Sequence, residues 1–389
     1  VTRASDRPIR IAYIVHTFDV GGLERCVARL ANHLDRDRFR PMIVCLARSG
    51  SAVGWIERDD VAVFELHKRP GNDLKAVGRL AEVLRTEQVD VVHSHNWGTL
   101  VETTLARRRA GVAVHVHAER GTMFGDLNSR GFRGRLRATL ARWAMNRADC
   151  LLTVAESVRQ RLVARCGRLR PPVRVVPNGV DVPAVTMSED ELAQRRKSLG
   201  IPPEAVVLGS VGRLAPVKDF VKAIDAVAAL QRRGHNVHLV LVGDGPEYNR
   251  LAAQTDDLRI PDRAHLVGRR KDVGNWLAMM DLYLNVSLSE GMSQSILEAM
   301  AASIPMVVTD VGDNALLVNG ELPCGTVVPP HNMPALVTAT EQLVIGPAVR
   351  REFSDNARRK HAEFYRLETM LDSYQRLYSQ LLNVPILSQ

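Results

Sequence analysis

The chain has 389 residues, 46% of them hydrophobic and 24% charged, with 52 Lys and Arg against 43 Asp and Glu. It is too long for one ordinary core and points to two domains of about 200 residues each. No apolar run reaches the roughly 18 residues that cross a membrane, and the five cysteines (Cys26, Cys45, Cys150, Cys166, Cys324) are scattered without a CxxC pair, which speaks against a disulfide framework and a zinc cluster. The opening Val-Thr-Arg-Ala-Ser-Asp lacks the apolar core of a secretory signal, so a reducing cytoplasm is expected. The charge is uneven: residues 1–180 hold 31 Lys and Arg against 18 Asp and Glu, and the remainder 21 against 25. Such asymmetry suits an anionic partner for the first half, such as lipid head groups, a phosphorylated substrate or nucleic acid. Plain solubility explains it equally well.

In chain order, "IRIAYIV" from Ile9 reads as a strand, "HTFDVGG" as a loop, and "LERCVARLANHL" as a helix with Leu23, Val27, Leu30 and Leu34 in phase. "PMIVCLA" and "VAVFEL" read as strands, "LKAVGRLAEVLRTEQ" as a helix, and "VDVVHSH" as a strand ending in two histidines. The alternation continues through "TLVETTLARRRAG", "VAVHVHAE", "RADCLLTV", "AESVRQRLVARCG" and "VRVVPNGV". It restarts with "VVLGSVGRL", "DFVKAIDAVAALQRRG", "VHLVLVGDGP", "YNRLAAQTDDL", "AHLVGRR", "VGNWLAMM", "DLYLNVS", "SQSILEAMAAS", "PMVVTDVGD" and "GTVVPP". Strand–helix alternation calls for parallel sheets covered by helices on both faces, here two doubly wound domains in tandem. The seam is expected at "PNGVDVPA", Pro177 to Ala184, where Pro and Gly break both patterns. The end, "FYRLETMLDSYQRLYSQLL", reads as one amphipathic helix with Leu367, Leu371, Tyr374 and Tyr378 on one face.

Open parallel sheets bind ligands beyond the carboxyl ends of their strands, so the loops there are the places to look for chemistry. Four stand out. "DVGGLE" sets Gly21 and Gly22 before a helix; it is either an anion site or an ordinary turn. "VGRLAPVKDF" carries Arg213 past a buried strand and Lys218 before a helix, a pairing able to clamp a diphosphate and neutralise a phosphate leaving group. "SLSEGMSQSILEAM" places Glu290 on a turn and Glu298 in the second turn of the helix that follows. The first N–H groups of that helix, around Met292, Ser293, Gln294 and Ser295, favour a phosphate. A carboxylate farther along suits a ribose diol, although helix N-terminal electrostatics alone also explains Glu298. Lastly, His93 and His95, and His115 and His117, alternate on strands, which puts each pair of rings on one face. No third ligand stands at a metal spacing, so a hydrogen-bonding ring at a cleft mouth is the expectation.

Taken in order, the Gly-Gly loop, "PNGVD", "VGRL…K" and "SEGMSQSILEAMAASIPMVVTDVG" resemble the retaining glycosyltransferases of family 4 over essentially the whole chain. The last segment is similar to that family's Glu-x7-Glu motif. The resemblance implies an α/β GT-B fold, two Rossmann-like doubly wound domains facing a central cleft. It implies an acceptor-side domain over residues 1–180, joined by a C-terminal helix over about 366–389, and a nucleotide-sugar-binding domain over 181–365. Position by position it implies that Arg213 and Lys218 hold the donor diphosphate, Glu290 contacts the donor sugar and Glu298 the ribose. Backbone N–H groups around Gly291, Met292, Ser293, Gln294 and Ser295 would meet the phosphates, and Gly21 and Gly22 would cover them. His117 would sit near the sugar and Arg269 by the base edge. The implied reaction is retaining transfer from a nucleotide-sugar, a UDP-sugar by preference, to a saccharide or lipid-linked saccharide, by front-face displacement without a metal or other cofactor. A nucleotide-sugar 2-epimerase and an inactive binding protein on the same fold are the alternatives. Nucleic-acid binding is not expected, because no recognised module is present and the arginines are dispersed. The sequence departs from the family at Met292-Ser293, where Phe with Gly or Pro is common, and at Asp313 and Asp219, where Gly is usual. It also has Ala315-Leu316-Leu317 where an acidic residue is usual. Finally, Arg130 to Arg147 sets Phe132, Leu136, Leu140 and Trp143 at helical spacing among six arginines. It reads either as a helix lying peripherally on the anionic inner face of the membrane or as a core helix with solvated arginines.

Overall fold

The computed structural model describes residues 7–71, 73–121, 132–181 and 184–384. The chain divides into two compact units, one of Val1–Asn178 with Glu368–Gln389, the other of Gly179–Leu367. The first unit carries β1 (Ile9–Val15), α1 (Gly22–His33), β2 (Phe39–Cys45), β3 (Val63–Glu65), α2 (Leu74–Thr86), β4 (Val91–His95), α3 (Trp97–Ala110), β5 (Val114–Glu119), α4 (Phe132–Met145), β6 (Cys150–Thr153), α5 (Glu156–Cys166) and β7 (Val173–Val175). The second carries α6 (Glu189–Ser198), β8 (Val206–Val211), α7 (Phe220–Arg232), β9 (Val237–Val242), α8 (Tyr248–Asp257), β10 (Ala264–Gly268), α9 (Val273–Leu277), β11 (Leu282–Asn285), α10 (Gln294–Ala301), β12 (Met306–Thr309), α11 (Asn314–Val318), β13 (Gly325–Val328), α12 (Met333–Ile345) and α13 (Pro347–Lys360). A last helix, α14 (Leu367–Leu381), returns to the first unit.

Both sheets are parallel throughout. Their strand orders are β3-β2-β1-β4-β5-β6-β7 and β10-β9-β8-β11-β12-β13. Central strands are buried along their length, as β9 is, because helices cover both faces. Each core Leu or Ile removed from water contributes about 1.5–3 kcal/mol, and in the second unit Leu208, Ile224, Leu239, Leu282 and Val307 form one such cluster. The order reverses between β1 and β4 in the first unit and between β8 and β11 in the second. At a reversal the connections leave to opposite faces, and the loops after the two strands part to leave a crevice. Those loops hold Gly21 and Gly22 in one unit, and Arg213, Lys218 and Glu290 in the other.

Several elements escape the hydrophobic pattern. No residue of α6 is buried, so it has no apolar period to read. Instead a Ser188–Glu191 capping box starts it, with acidic residues in its first turn and basic residues in its last. The expected single C-terminal helix is broken. His361–Tyr365 form a π turn, Arg366 is extended, and the helix begins at Leu367 and ends at Leu381. Here Arg366 bridges Val180, whose N–H donates to the Tyr365 carbonyl at 3.0 Å, while His361 Nε2 meets the Val180 carbonyl at 2.9 Å. The partner is remote in sequence, so no local pattern shows the break. In α4, Ala141, Ala144 and Met145 are buried, whereas Leu136 and Leu140 are 57% and 39% exposed. Arg130 and the side chain of Phe132 lie outside the described residues.

The strand-end histidines are not surface rings. His93, His95, His115 and His117 are all at most 2% exposed. His93 Nδ1 pairs with the Tyr378 hydroxyl of α14 at 2.8 Å, and the Ser94 hydroxyl meets both His115 Nε2 and His117 Nδ1 at 2.8 Å. Burial holds His93, His95 and His115 well below the usual imidazole range, so they are neutral in the fold. The unfolded chain takes up protons below about pH 6.5 that the folded one refuses, so stability is full above that pH and is lost as the pH falls. Thermal unfolding should therefore show a midpoint that drops from pH 7.5 to pH 5; a flat or rising profile would contradict the buried neutral rings.

Candidate active site

In the second unit, β8 ends at Val211 and the chain turns through Gly212–Arg213 into a short 3-10 turn, Pro216–Lys218. The turn hands over to α7 through Asp219, whose φ of +46° and ψ of +40° are left-handed. That is the physical sense of the glycine usual at this position: only Gly adopts the conformation freely, and Asp is among the few residues that tolerate it. The turn aims Lys218 at the loop after β11. Lys218 Nζ donates to Glu290 Oε1 at 2.6 Å, and the Ser287 hydroxyl donates to the same oxygen at 2.8 Å. The ion-pair side chains are only 22% and 11% exposed. The Arg213 side chain is exposed and makes no hydrogen bond or ion pair with any described residue. The crevice thus presents one cation that is already oriented and one that is available.

The glutamate loop is held from below. Ser287 carbonyl accepts from the Thr309 hydroxyl at 2.6 Å, and Asp313 N–H donates to the Gly291 carbonyl at 3.1 Å. Gly312 has a φ of +60°, and a Cβ there would lie 2.5 Å from the Glu290 carbonyl oxygen and 2.7 Å from that of Gly291. Ser293 is the N-cap of α10, but its side chain makes no capping bond. Its hydroxyl instead meets Asn285 Nδ2 and Ser295 Oγ, each at 3.2 Å. Glu298, 6% exposed, lies in the second turn of α10, Met292 is 9% exposed, and Gln294 and Ser295 are half-buried. Arg269 is exposed immediately after β10. The fold therefore joins Lys218 to Glu290 and keeps Arg213 on the same loop as Lys218. Sequence reasoning missed Ser287, Gly312 and Asn285. The signal for the last was a polar residue in an otherwise apolar central strand. A concavity of about 220 Å³ beside the cation loop is lined by Pro216, Asp219, Glu247 and Arg250 but not by Arg213, Glu290 or Glu298.

In the first unit, Gly21 is the N-cap of α1, which has no side-chain cap, and Gly22 is exposed. The Glu24 carboxyl folds back against Gly21, and burial raises it above the usual carboxylate range. His117 is clamped between Ser94 and Glu119, its Nε2 lying 3.2 Å from Glu119 Oε1. Among the described residues no three His, Cys, Asp or Glu side chains gather as a metal site.

Residues 20–183 match the family described as Glycosyltransferase Family 4, and residues 193–360 match Glycosyl transferases group 1. The chain belongs to the glycosyltransferases. One relative of this glycosyltransferase is the Escherichia coli UDP-Gal:alpha-D-GlcNAc-diphosphoundecaprenol alpha-1,3-galactosyltransferase, 25% identical over 97% of this chain and 98% of the relative. Another is the N-acetyl-alpha-D-glucosaminyl L-malate synthase of Bacillus anthracis, 26% identical over 82% of each chain. Among solved structures, Anabaena HepE in complex with UDP superposes with a TM-score of 0.81 at 21% identity, covering 96% of this chain and all of the other. WaaG, a glycosyltransferase of lipopolysaccharide biosynthesis, superposes at 0.71 with 19% identity, covering 94% and 99%. These likenesses establish the GT-B fold.

The Gly312 contact is open to test. Gly312→Ala must relieve both a left-handed backbone and two carbonyl contacts, so urea unfolding should show a loss of more than about 1 kcal/mol. Unchanged stability would mean that the glutamate loop is not braced there.

Proposed function

We propose that this glycosyltransferase moves a sugar from a nucleotide-sugar, a UDP-sugar by preference, to a saccharide or lipid-linked saccharide, with retention at the anomeric carbon. The observation that carries the proposal is the Lys218–Glu290 pair at the β8–β11 reversal, beside an exposed Arg213. The UDP complex of HepE and the lipid-diphosphate acceptor in the name of the E. coli relative support the donor and acceptor classes. Lys218 has three N–H donors, so it can keep Glu290 and still meet a phosphate oxygen. In this scheme the donor diphosphate lies between Arg213, Lys218 and the uncapped start of α10. Glu298 accepts from the ribose hydroxyls, Glu290 from a sugar hydroxyl, and Arg269 lies by the base.

For the chemical step, the acceptor oxygen approaches the anomeric carbon on the face that the diphosphate leaves. The bond from that carbon to the phosphate oxygen breaks, its electron pair stays on the phosphate, and the same phosphate takes the acceptor's proton. Arg213 and Lys218 stabilise the charge as it develops, which is where preorganised cations act most strongly. With two cations and a helix N-terminus serving the diphosphate, no divalent metal is needed. A thermal-shift series with UDP, GDP and ADP identifies the base. With the donor in hand, Lys218→Ala or Glu290→Ala should lower kcat by about 100-fold or more, and EDTA should leave the wild-type rate unchanged. Full activity in either variant would refute the site, and loss of activity with EDTA would refute metal independence.

The same proposal places the enzyme at the inner face of an anionic membrane. Leu136 and Leu140 stand one turn apart on α4, both exposed, among exposed Arg135, Arg137 and Arg142. A basic helix with exposed apolar side chains suits a negatively charged leaflet. Vesicles with anionic lipid should pellet the protein at low salt and release it at high salt, and Leu136→Glu with Leu140→Glu should abolish pelleting. Equal recovery with neutral vesicles, or no pelleting at low salt, would rule the membrane contact out.

A further inference from the structure

Central parallel strands are normally apolar on both faces, since helices cover them. β11 is an exception. It lies between β8 and β12, and its residues Tyr283 and Asn285, 1% and 4% exposed, are two apart and so share a face. The Tyr283 hydroxyl accepts from Val211 N–H at 3.1 Å and donates to the Val211 carbonyl at 3.2 Å, at the point where β8 gives way to the cation loop. It also contacts the Ser295 side chain in the first turn of α10. Asn285 Nδ2 holds the Ser293 hydroxyl at 3.2 Å, and its Oδ1 accepts from Asn314 Nδ2 at 3.3 Å. Asn314 in turn donates to the Thr309 carbonyl at 3.0 Å, while its own fully buried Oδ1 has no partner among the described residues. Such a network is not optimised for stability, because an unsatisfied buried acceptor is costly.

The most telling member is Ser293. Serine at an N-cap normally accepts from the N–H two or three residues on, a bond whose loss costs about 1 kcal/mol. Here that bond is absent, and the hydroxyl is turned to Asn285 and Ser295. We infer that Asn285, with Tyr283 beside it, is a positioning residue of the donor site: it holds the Ser293 hydroxyl off the start of α10, where the donor diphosphate would otherwise meet a capping side chain. The inference rests on the proposed donor site and adds to it the side chains that keep the Ser293 hydroxyl from capping the phosphate-binding end. Tyr283 fixes the same turn against the end of β8, so the cation loop and the N–H groups keep one spacing.

The test is calorimetric titration of UDP, with donor KM and kcat and the unfolding midpoint measured alongside. Asn285→Leu keeps the side-chain size but frees Ser293 to cap its own helix. The variant should unfold at or above the wild-type temperature, yet bind UDP about tenfold more weakly, with a matching rise in donor KM. Adding Ser293→Ala to that variant should restore much of the affinity, which a merely structural defect would not allow. Tyr283→Phe, a one-atom change, should also weaken UDP while leaving the fold intact, and it keeps the test open if the leucine variant is unstable. UDP affinity within twofold of wild type in both Asn285→Leu and Tyr283→Phe overturns the inference. Wild-type protein that binds none of UDP, GDP or ADP instead overturns the donor site itself, so the two failures are distinct.

Discussion

The bond between Lys218 Nζ and Glu290 Oε1 joins the loops that leave β8 and β11, the two strands between which the sheet order reverses. A parallel sheet parts its loops at that point and nowhere else along its edge, and the ion pair spans the parting. Much of the second unit follows from it. The left-handed Asp219 ends the turn that carries Lys218, Gly312 brings the next loop against the Glu290 backbone, and Ser287 supports the carboxylate from the same loop. An ion pair this buried gives up much of its hydration, and its net worth to stability is small or negative unless hydrogen bonds complete it. Its value is orientation: both side chains are fixed before a ligand arrives.

The rest of the unit supplies what a cation and a carboxylate cannot. α10 starts without a side-chain cap, so its N-terminal partial charge is undiminished where the two loops meet. The polar residues on β11 keep it so. Three kinds of electropositive group thereby belong to the loops at this reversal: an ammonium group held by Glu290, an exposed guanidinium on the same loop, and a helix terminus. The proposed donor diphosphate would use all three.

Much of this was legible in the sequence because the signals are local. Apolar runs alternating with helical periods fix a doubly wound sheet, and residues just past strands identify the loops that face a ligand. "VGRLAPVK" and "SEGMSQSILEAM" therefore named Arg213, Lys218, Glu290 and Glu298 without coordinates. What the sequence hid depends on contacts between distant segments. The break before α14 is made by Val180, and the Lys218–Glu290 bond closes over 72 residues. Alternation put the strand-end histidines in pairs but could not show that Ser94, Glu119 and Tyr378 would bury them. Helix α6 was missed for the opposite reason: its determinants are a capping box and a charge gradient, not an apolar face. Asn285 was visible as a polar intruder in "DLYLNVS", but its meaning appears only once Ser293 is seen to turn away from its own helix.

The most direct measurement is the position of the nucleotide in a crystal of this protein grown with UDP. The account predicts diphosphate oxygens within hydrogen-bonding distance of Arg213, Lys218 and the first N–H groups of α10, with the ribose hydroxyls on Glu298. A nucleotide seated elsewhere, such as in the concavity lined by Asp219, Glu247 and Arg250, with the Lys218–Glu290 pair left facing solvent, would contradict it.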